Sequence, residues 1–173
     1  MKKVLLTLVV VGAAALSTFA QSSSSSKSDA SGKFSIGVDA GLPVGSTSDV
    51  YSFVIGGDLK YEMPFSSGLA WSLSAGYSST MLKSEFKDEV GKSAFGYVPV
   101  KAGIKYTFDQ SAFFVEGQLG VVFGTQSGSG TAFVYAPGVG YKFTDNLDLG
   151  VRYEGWSHDG TFSQVAARLA YSF

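Results

Sequence analysis

Between Lys33 and Phe173 the chain falls into eight runs in which apolar residues recur at every second position, and none of those positions carries a charge. A period of two means strands with two unlike faces, because successive side chains on a strand point to opposite sides. The first run sets Phe34, Ile36, Val38, Ala40 and Leu42 against Ser35, Gly37, Asp39 and Gly41. The last sets Val165, Ala167, Leu169, Tyr171 and Phe173 against Gln164, Ala166, Arg168, Ala170 and Ser172. Each run is close to the roughly 9–11 residues with which a tilted strand crosses a bilayer. None reaches the roughly 18 consecutive apolar residues of a membrane helix.

The last run continues to the chain's final residue. A bare apolar edge strand invites aggregation, and pairing the last strand with the first removes the edge. A closed sheet is therefore expected. Alternation alone does not say which face points outward, and a soluble ligand-binding barrel would turn its apolar face inward. Volume decides against that. Eight strands enclose only enough space for side chains or one small ligand, whereas the apolar face carries Phe, Tyr, Trp or Leu on nearly every run. The opposite face is rich in Gly, Ala and Ser and holds Asp39, Asp58, Glu62, Glu116, Asp148 and Glu154. It also holds Lys60, Lys101, Lys105, Lys142, Arg152 and Arg168. These acids and bases balance, and inside a narrow barrel they form a luminal charge network, since unpaired buried ions are costly. The charge-free face then meets lipid, where a midplane Lys or Arg costs roughly 2–4 kcal/mol.

Aromatic residues gather near both ends of the apolar face, with Phe65, Trp71, Phe108, Phe113, Phe143 and Phe173 at one end. Tyr77, Tyr97, Phe123, Phe133 and Tyr153 lie at the other. Two belts suit two membrane–water interfaces. Connections after the second, fourth and sixth runs are short: residues 64–68, 109–111 and 144–146. Those after the odd runs tend to be longer, and residues 78–96 form the longest. Pro99 and Pro137 fall in or near strands and predict local bulges or strand ends, because proline donates no ladder bond.

Residues 1–20 read as a cleavable signal peptide for Sec export. Lys2 and Lys3 precede an apolar core from Val4 to Leu16, and Thr18-Phe19-Ala20 offers small residues for cleavage before Gln21. Residues 21–32, dominated by serine, read as a flexible leader, and residues 33–173 as one domain. Cysteine is absent, which excludes disulfides and thiolate metal sites. With a net charge of −1 and no basic run, nucleic acid is not an expected partner. No phosphate loop or metal spacing is present, so no cofactor is expected. The one histidine, His158, is flanked by Ser157 and Asp159 in the last outer loop. Nothing in the sequence orients its imidazole as a catalytic triad requires, so it reads as a solvated loop residue.

The signal peptide, the eight runs, the charge-free face, the short turns and Phe173 together resemble the small eight-stranded outer-membrane β-barrel families, OmpX-like and OmpA-transmembrane-like. That resemblance implies an all-β, antiparallel, up-and-down transmembrane barrel in a Gram-negative outer membrane. It also implies a monomer surrounded by lipid and lipopolysaccharide, delivered by periplasmic chaperones. Insertion would be by the barrel-assembly machinery, with Tyr171 and Phe173 as the recognised aromatics. It does not imply a reaction. The leading expectation is a non-enzymatic protein of envelope structure or loop-mediated adhesion. A narrow channel is the alternative, ahead of a lipid-modifying enzyme or a soluble binder.

Overall fold

A computed structural model describes residues 32–83, 94–126, 129–157 and 160–173. Eight strands close into one antiparallel barrel in sequence order. They are β1 (Lys33–Pro43), β2 (Tyr51–Ser66), β3 (Leu69–Leu82), β4 (Ala94–Thr107), β5 (Phe113–Gly124), β6 (Thr131–Lys142), β7 (Leu147–Ser157) and β8 (Thr161–Ser172). A short 3₁₀ turn, Gly45–Asp49, lies between β1 and β2. The seam joins β1 to β8 from Ser35↔Ser172 to Pro43↔Gln164. At its end the Phe173 amide donates to the Phe34 carbonyl at 2.8 Å.

The exposed face is apolar. Val38, Leu42, Leu73, Ile104, Leu119 and Val139 are each more than half exposed. In water this would be an aggregating surface, whereas in hydrocarbon it is the wetted one. The buried face is polar: Lys60, Lys101, Lys105, Gln118, Glu154 and Arg168 are all buried.

At the end bearing both termini, neighbouring rings form edge-on pairs, Phe113–Tyr141 at 4.9 Å, Tyr141–Phe143 at 5.3 Å and Tyr171–Phe173 at 5.3 Å between centroids. At the other end Tyr77, Phe123, Phe133 and Tyr153 are exposed. Tyr135 lies over Gly155, where a Cβ would collide with the ring. The glycine thus gives the aromatic side chain a seat against the barrel wall.

Four sequence expectations need correcting. Pro99 and Pro137 cause no bulge. Pairing between β3 and β4 has the same register at Ala75↔Val100 and Ser78↔Tyr97, on either side of Pro99. Likewise β6 and β7 keep register from Tyr135↔Gly155 to Gly138↔Arg152, around Pro137. Each proline stays paired on its other side, with Val122 and Gly117 respectively. A missing N–H removes donors on one edge without forcing an extra residue into the strand. Instead, register shifts fall at Tyr51/Phe53 and Pro64/Ser66 in β2, so the strand runs through Pro64 into what had read as turn. The turn proper is Ser67-Gly68, with Gly68 at φ 70°.

Tyr97 does not join the outer belt. It has the parity of Lys101 and Lys105, so it turns inward and packs on Trp156 at 5.0 Å. The connection after β7 is also not long: β8 begins at Thr161, four residues after Ser157 ends β7.

The lipid-facing assignment makes a quantitative prediction. Leu119→Lys places a cation on the hydrocarbon side of mid-β5 and should cost roughly 2–4 kcal/mol. Gln118→Asn, on the adjacent inward position, should leave the barrel inserted. Reversible urea unfolding in phosphatidylcholine vesicles measures both.

Candidate functional site

The chemistry of the barrel is in its lumen, which changes character along the axis. At the end with the termini, Lys105 Nζ donates to Glu62 at 2.9 and 3.1 Å. The same ammonium stands 4.1 Å above the Phe114 ring. That ring covers Gly140, the only residue type that leaves room for it. Further in, Lys60 Nζ donates to both Glu116 oxygens at 2.8 and 3.1 Å and lies 3.3 Å from Glu62. Ser72 donates to Glu116 at 2.8 Å. Arg168 donates to Asp58 at 2.8 Å and to the Ser35 hydroxyl at 3.2 Å, with Asp148 at 4.0 Å.

Glu154 ends this ionic section and is 1 % exposed. It accepts from Arg152 Nε at 2.9 Å, from Trp156 Nε1 at 3.0 Å and from Lys101 Nζ at 3.4 Å. The Arg152 guanidinium also donates to Asp39 at 2.8 Å. An anion this deeply buried needs donors on every side, and these three supply them from β4 and β7.

Eleven of the twelve luminal ions read from the sequence therefore join ion pairs. Lys142 joins none among the described residues and lines a cavity of about 250 Å³ at the terminus-bearing mouth, with Lys33, Glu62 and Lys105. Among the ion pairs, a void lined by Lys60, Glu116, Asp148, Arg152 and Arg168 has about 20 Å³, room for about one water.

Beyond Glu154 the lumen turns apolar. Val122, Val134 and Trp156 form a buried cluster, with Tyr97, Ala132 and Phe162 packed on it. Phe162 stacks on Trp156 at 4.7 Å, and Tyr51 meets Phe162 at 5.6 Å. A polar-lumen reading misses these residues together with Phe114. Parity would have found them: Phe114 and Val122 share the even register of Glu116 and Gln118, and Trp156 that of Arg152 and Glu154. Tyr171 and Phe173 face outward at the terminus-bearing rim. His158 and Asp159 lie outside the described residues. No cluster of potential metal ligands occurs among the described residues.

A closed eight-stranded barrel with an apolar exterior and an ion-packed interior is the architecture of small outer-membrane proteins. The family model of the outer membrane protein beta-barrel domain matches residues 6–173. The chain belongs to this family. It is therefore an integral protein of a Gram-negative outer membrane.

Solved barrels of this family's architecture share the fold at low identity. Ail from Yersinia pestis, in a phospholipid bilayer nanodisc, is 18% identical, with a TM-score of 0.56, covering 83% of this chain and 100% of Ail. The N-terminal barrel domain of Pseudomonas aeruginosa OprF is 11% identical with a TM-score of 0.57, covering 84% of this chain and 100% of that one. Neisserial surface protein A is 15% identical with a TM-score of 0.50, over 84% and 100% of the two chains. No curated protein matches the sequence.

The Glu154 site sets a clear mutational contrast within this outer-membrane barrel. Glu154→Ala strands Arg152 and Lys101 without their shared anion and should cost about 3–5 kcal/mol. Lys142→Ala should change stability by less than about 1 kcal/mol, as for a partly solvated charge. The midpoint of heat-modifiable gel migration reads both variants.

Proposed function

We propose that this protein is a non-enzymatic, non-conducting monomer that braces the outer membrane and presents its outer loops to extracellular partners. The observation that carries this reading is the ion-packed lumen, where the void among Lys60, Glu116, Arg152 and Arg168 is about 20 Å³. A hydrated ion needs a continuous water-filled path, and Lys60, Glu116, Arg152 and Glu154 occupy that path as mutually paired side chains. Opening it would require several of these pairs to separate together.

The proposed orientation puts the termini and the short turns in the periplasm and the β3–β4 connection, residues 83–93, outside. Residues 1–20 direct Sec export, and residues 21–32 form a leader that is left in the periplasm. Periplasmic chaperones carry the chain to the barrel-assembly machinery, which recognises the outward-facing Tyr171 and Phe173. The exterior then contacts phospholipid on one leaflet and lipopolysaccharide on the other. A surface role has a structural precedent. Ail, the attachment invasion locus protein of Yersinia pestis, has been solved in complex with the heparin analogue sucrose octasulfate, at 17% identity and a TM-score of 0.54. The shared fold gives this chain the same means of holding loops above a membrane.

Planar-bilayer recording tests the filled lumen. The refolded protein should insert without conductance steps, and regular ohmic openings would replace this reading with the channel. Removing Phe173 should slow insertion by the assembly machinery in reconstituted vesicles while leaving spontaneous refolding in detergent intact.

A further inference from the structure

The mouth at the terminus-bearing end is built differently from the packed lumen beside it. Lys33, Glu62, Lys105, Thr107 and Lys142 help line its cavity of about 250 Å³. The strand register turns each of these side chains inward. Lys33 shares the parity of the buried Ser35 and Asp39, and Lys142 that of Val134 and Ala136. Glu62 keeps step with Lys60, and Thr107 with Lys101 and Lys105. Three ammonium groups thus border one cavity together with one carboxylate.

That carboxylate is already engaged. Glu62 accepts from Lys105 at 2.9 and 3.1 Å and lies 3.3 Å from Lys60. Lys105 is itself buried, its ammonium 4.1 Å from the Phe114 ring. Lys33 and Lys142 therefore carry the surplus charge. Lys142 stands across the β6–β7 ladder from Asp148, yet the two form no ion pair, and the Asp148 carboxylate lies 4.0 Å from Arg168. Lys33 stands across from Glu62 on β2 and reaches only the Asp145 carbonyl, at 3.5 Å. Neither lysine joins an ion pair among the described residues.

We infer that this mouth is a binding site for a phosphate group. The cations present select the sign of the ligand, since an apolar or cationic occupant would remove water from two ammoniums and give nothing back. Their arrangement selects the shape. Lys33 comes from β1, Lys142 from β6 and the Thr107 hydroxyl from β4, so the donors converge from separate strands. A tetrahedral dianion accepts from several directions at once, whereas a carboxylate offers its acceptors in one plane. Lysine binds phosphate as a compact point charge, and the planar fork that grips carboxylates belongs to arginine, which the described lining lacks. Free phosphates and phospholipid headgroups share this chemistry. The site stands apart from the surface role and the orientation proposed above.

The mature protein in dodecyl maltoside, a detergent without phosphate, is titrated with pyrophosphate by calorimetry at low ionic strength. One saturable site per chain is expected, weakening as salt is raised. Lys142→Gln and Lys33→Gln should each weaken it about tenfold, and Lys142→Arg much less. Lys83→Gln, beyond the far end of β3, should leave it unchanged. Heat-modifiable migration shows that each variant is folded. Repeating the titration in phosphatidylcholine nanodiscs with and without phosphatidylglycerol identifies the source. Suppression by phosphatidylglycerol marks a lipid headgroup and unchanged binding marks a free phosphate, and either result keeps the site.

Four results would overturn the assignment. They are no saturable heat with the unsubstituted protein, equal affinity for chloride or acetate, equal binding by Lys142→Gln, and binding that emerges only in Asp29→Asn. In the last case a carboxylate of the chain itself, and not phosphate, would answer the lysines. The comparison of pyrophosphate with chloride and acetate needs no variant, so a folding defect in a lysine substitution leaves the test intact.

Discussion

The pairing of β1 with β8 is the constraint on which this structure depends. In hydrocarbon no water replaces a lost backbone partner, so a sheet survives only if it has no edge. The seam from Ser35↔Ser172 to Pro43↔Gln164 satisfies both edges at once. Asn146 reinforces the join from the β6–β7 turn, with its side-chain amide donating to the Ser172 carbonyl at 2.6 Å. Closure at eight strands then fixes the width of the lumen, and that width decides what may fill it.

Filling is a problem of size before it is a problem of charge. The inward face alternates long ions with residues that have little or no side chain. Gly37 lies under the Arg168 guanidinium and Gly138 under the Arg152 Cβ, and a Cβ at either would collide with its neighbour. Backbone hydrogen bonds tie each strand only to its two neighbours. The ion pairs cross the lumen: Arg168 of β8 to Asp58 of β2, Arg152 of β7 to Asp39 of β1, Lys60 of β2 to Glu116 of β5, Lys101 of β4 to Glu154 of β7. They hold the cylinder against flattening, which the ladders alone do not resist. Their net contribution to stability is small after desolvation, whereas losing one partner is expensive. Such a lumen therefore specifies one cross-section more than it deepens the folded well.

Period-two alternation carried most of this. The strand count, the closed sheet and the lipid-facing side are all legible because one residue's shift in register would move every charge into hydrocarbon. The ionic part of the lumen is legible for the same reason, as Asp39, Lys60, Lys105 and Glu154 leave no other face available. Two things were hidden. An inward Phe114, Tyr97 or Trp156 looks like a belt residue until its parity is compared with the nearest charge, because aromatic residues suit both environments. Proline reads as a breaker, yet Pro99 and Pro137 keep register because their neighbours on β5 hold them. Pairing partners across a sheet are not encoded in the strand itself.

Trp156 is where the two halves of the lumen meet. Its indole N–H serves the buried carboxylate of Glu154, and its ring faces the apolar neck of Val122 and Val134. One side chain thus ends the ionic section and begins the aromatic one, with its own indole N–H paired. A continuous ionic lumen would extend charge to the mouth, where Tyr51 and Phe162 now meet. A continuous apolar lumen would leave Arg152 and Lys101 without their anion. The layer beneath this aromatic cluster is the salt-bridged network, with a void of about 20 Å³ among Lys60, Glu116, Arg152 and Arg168.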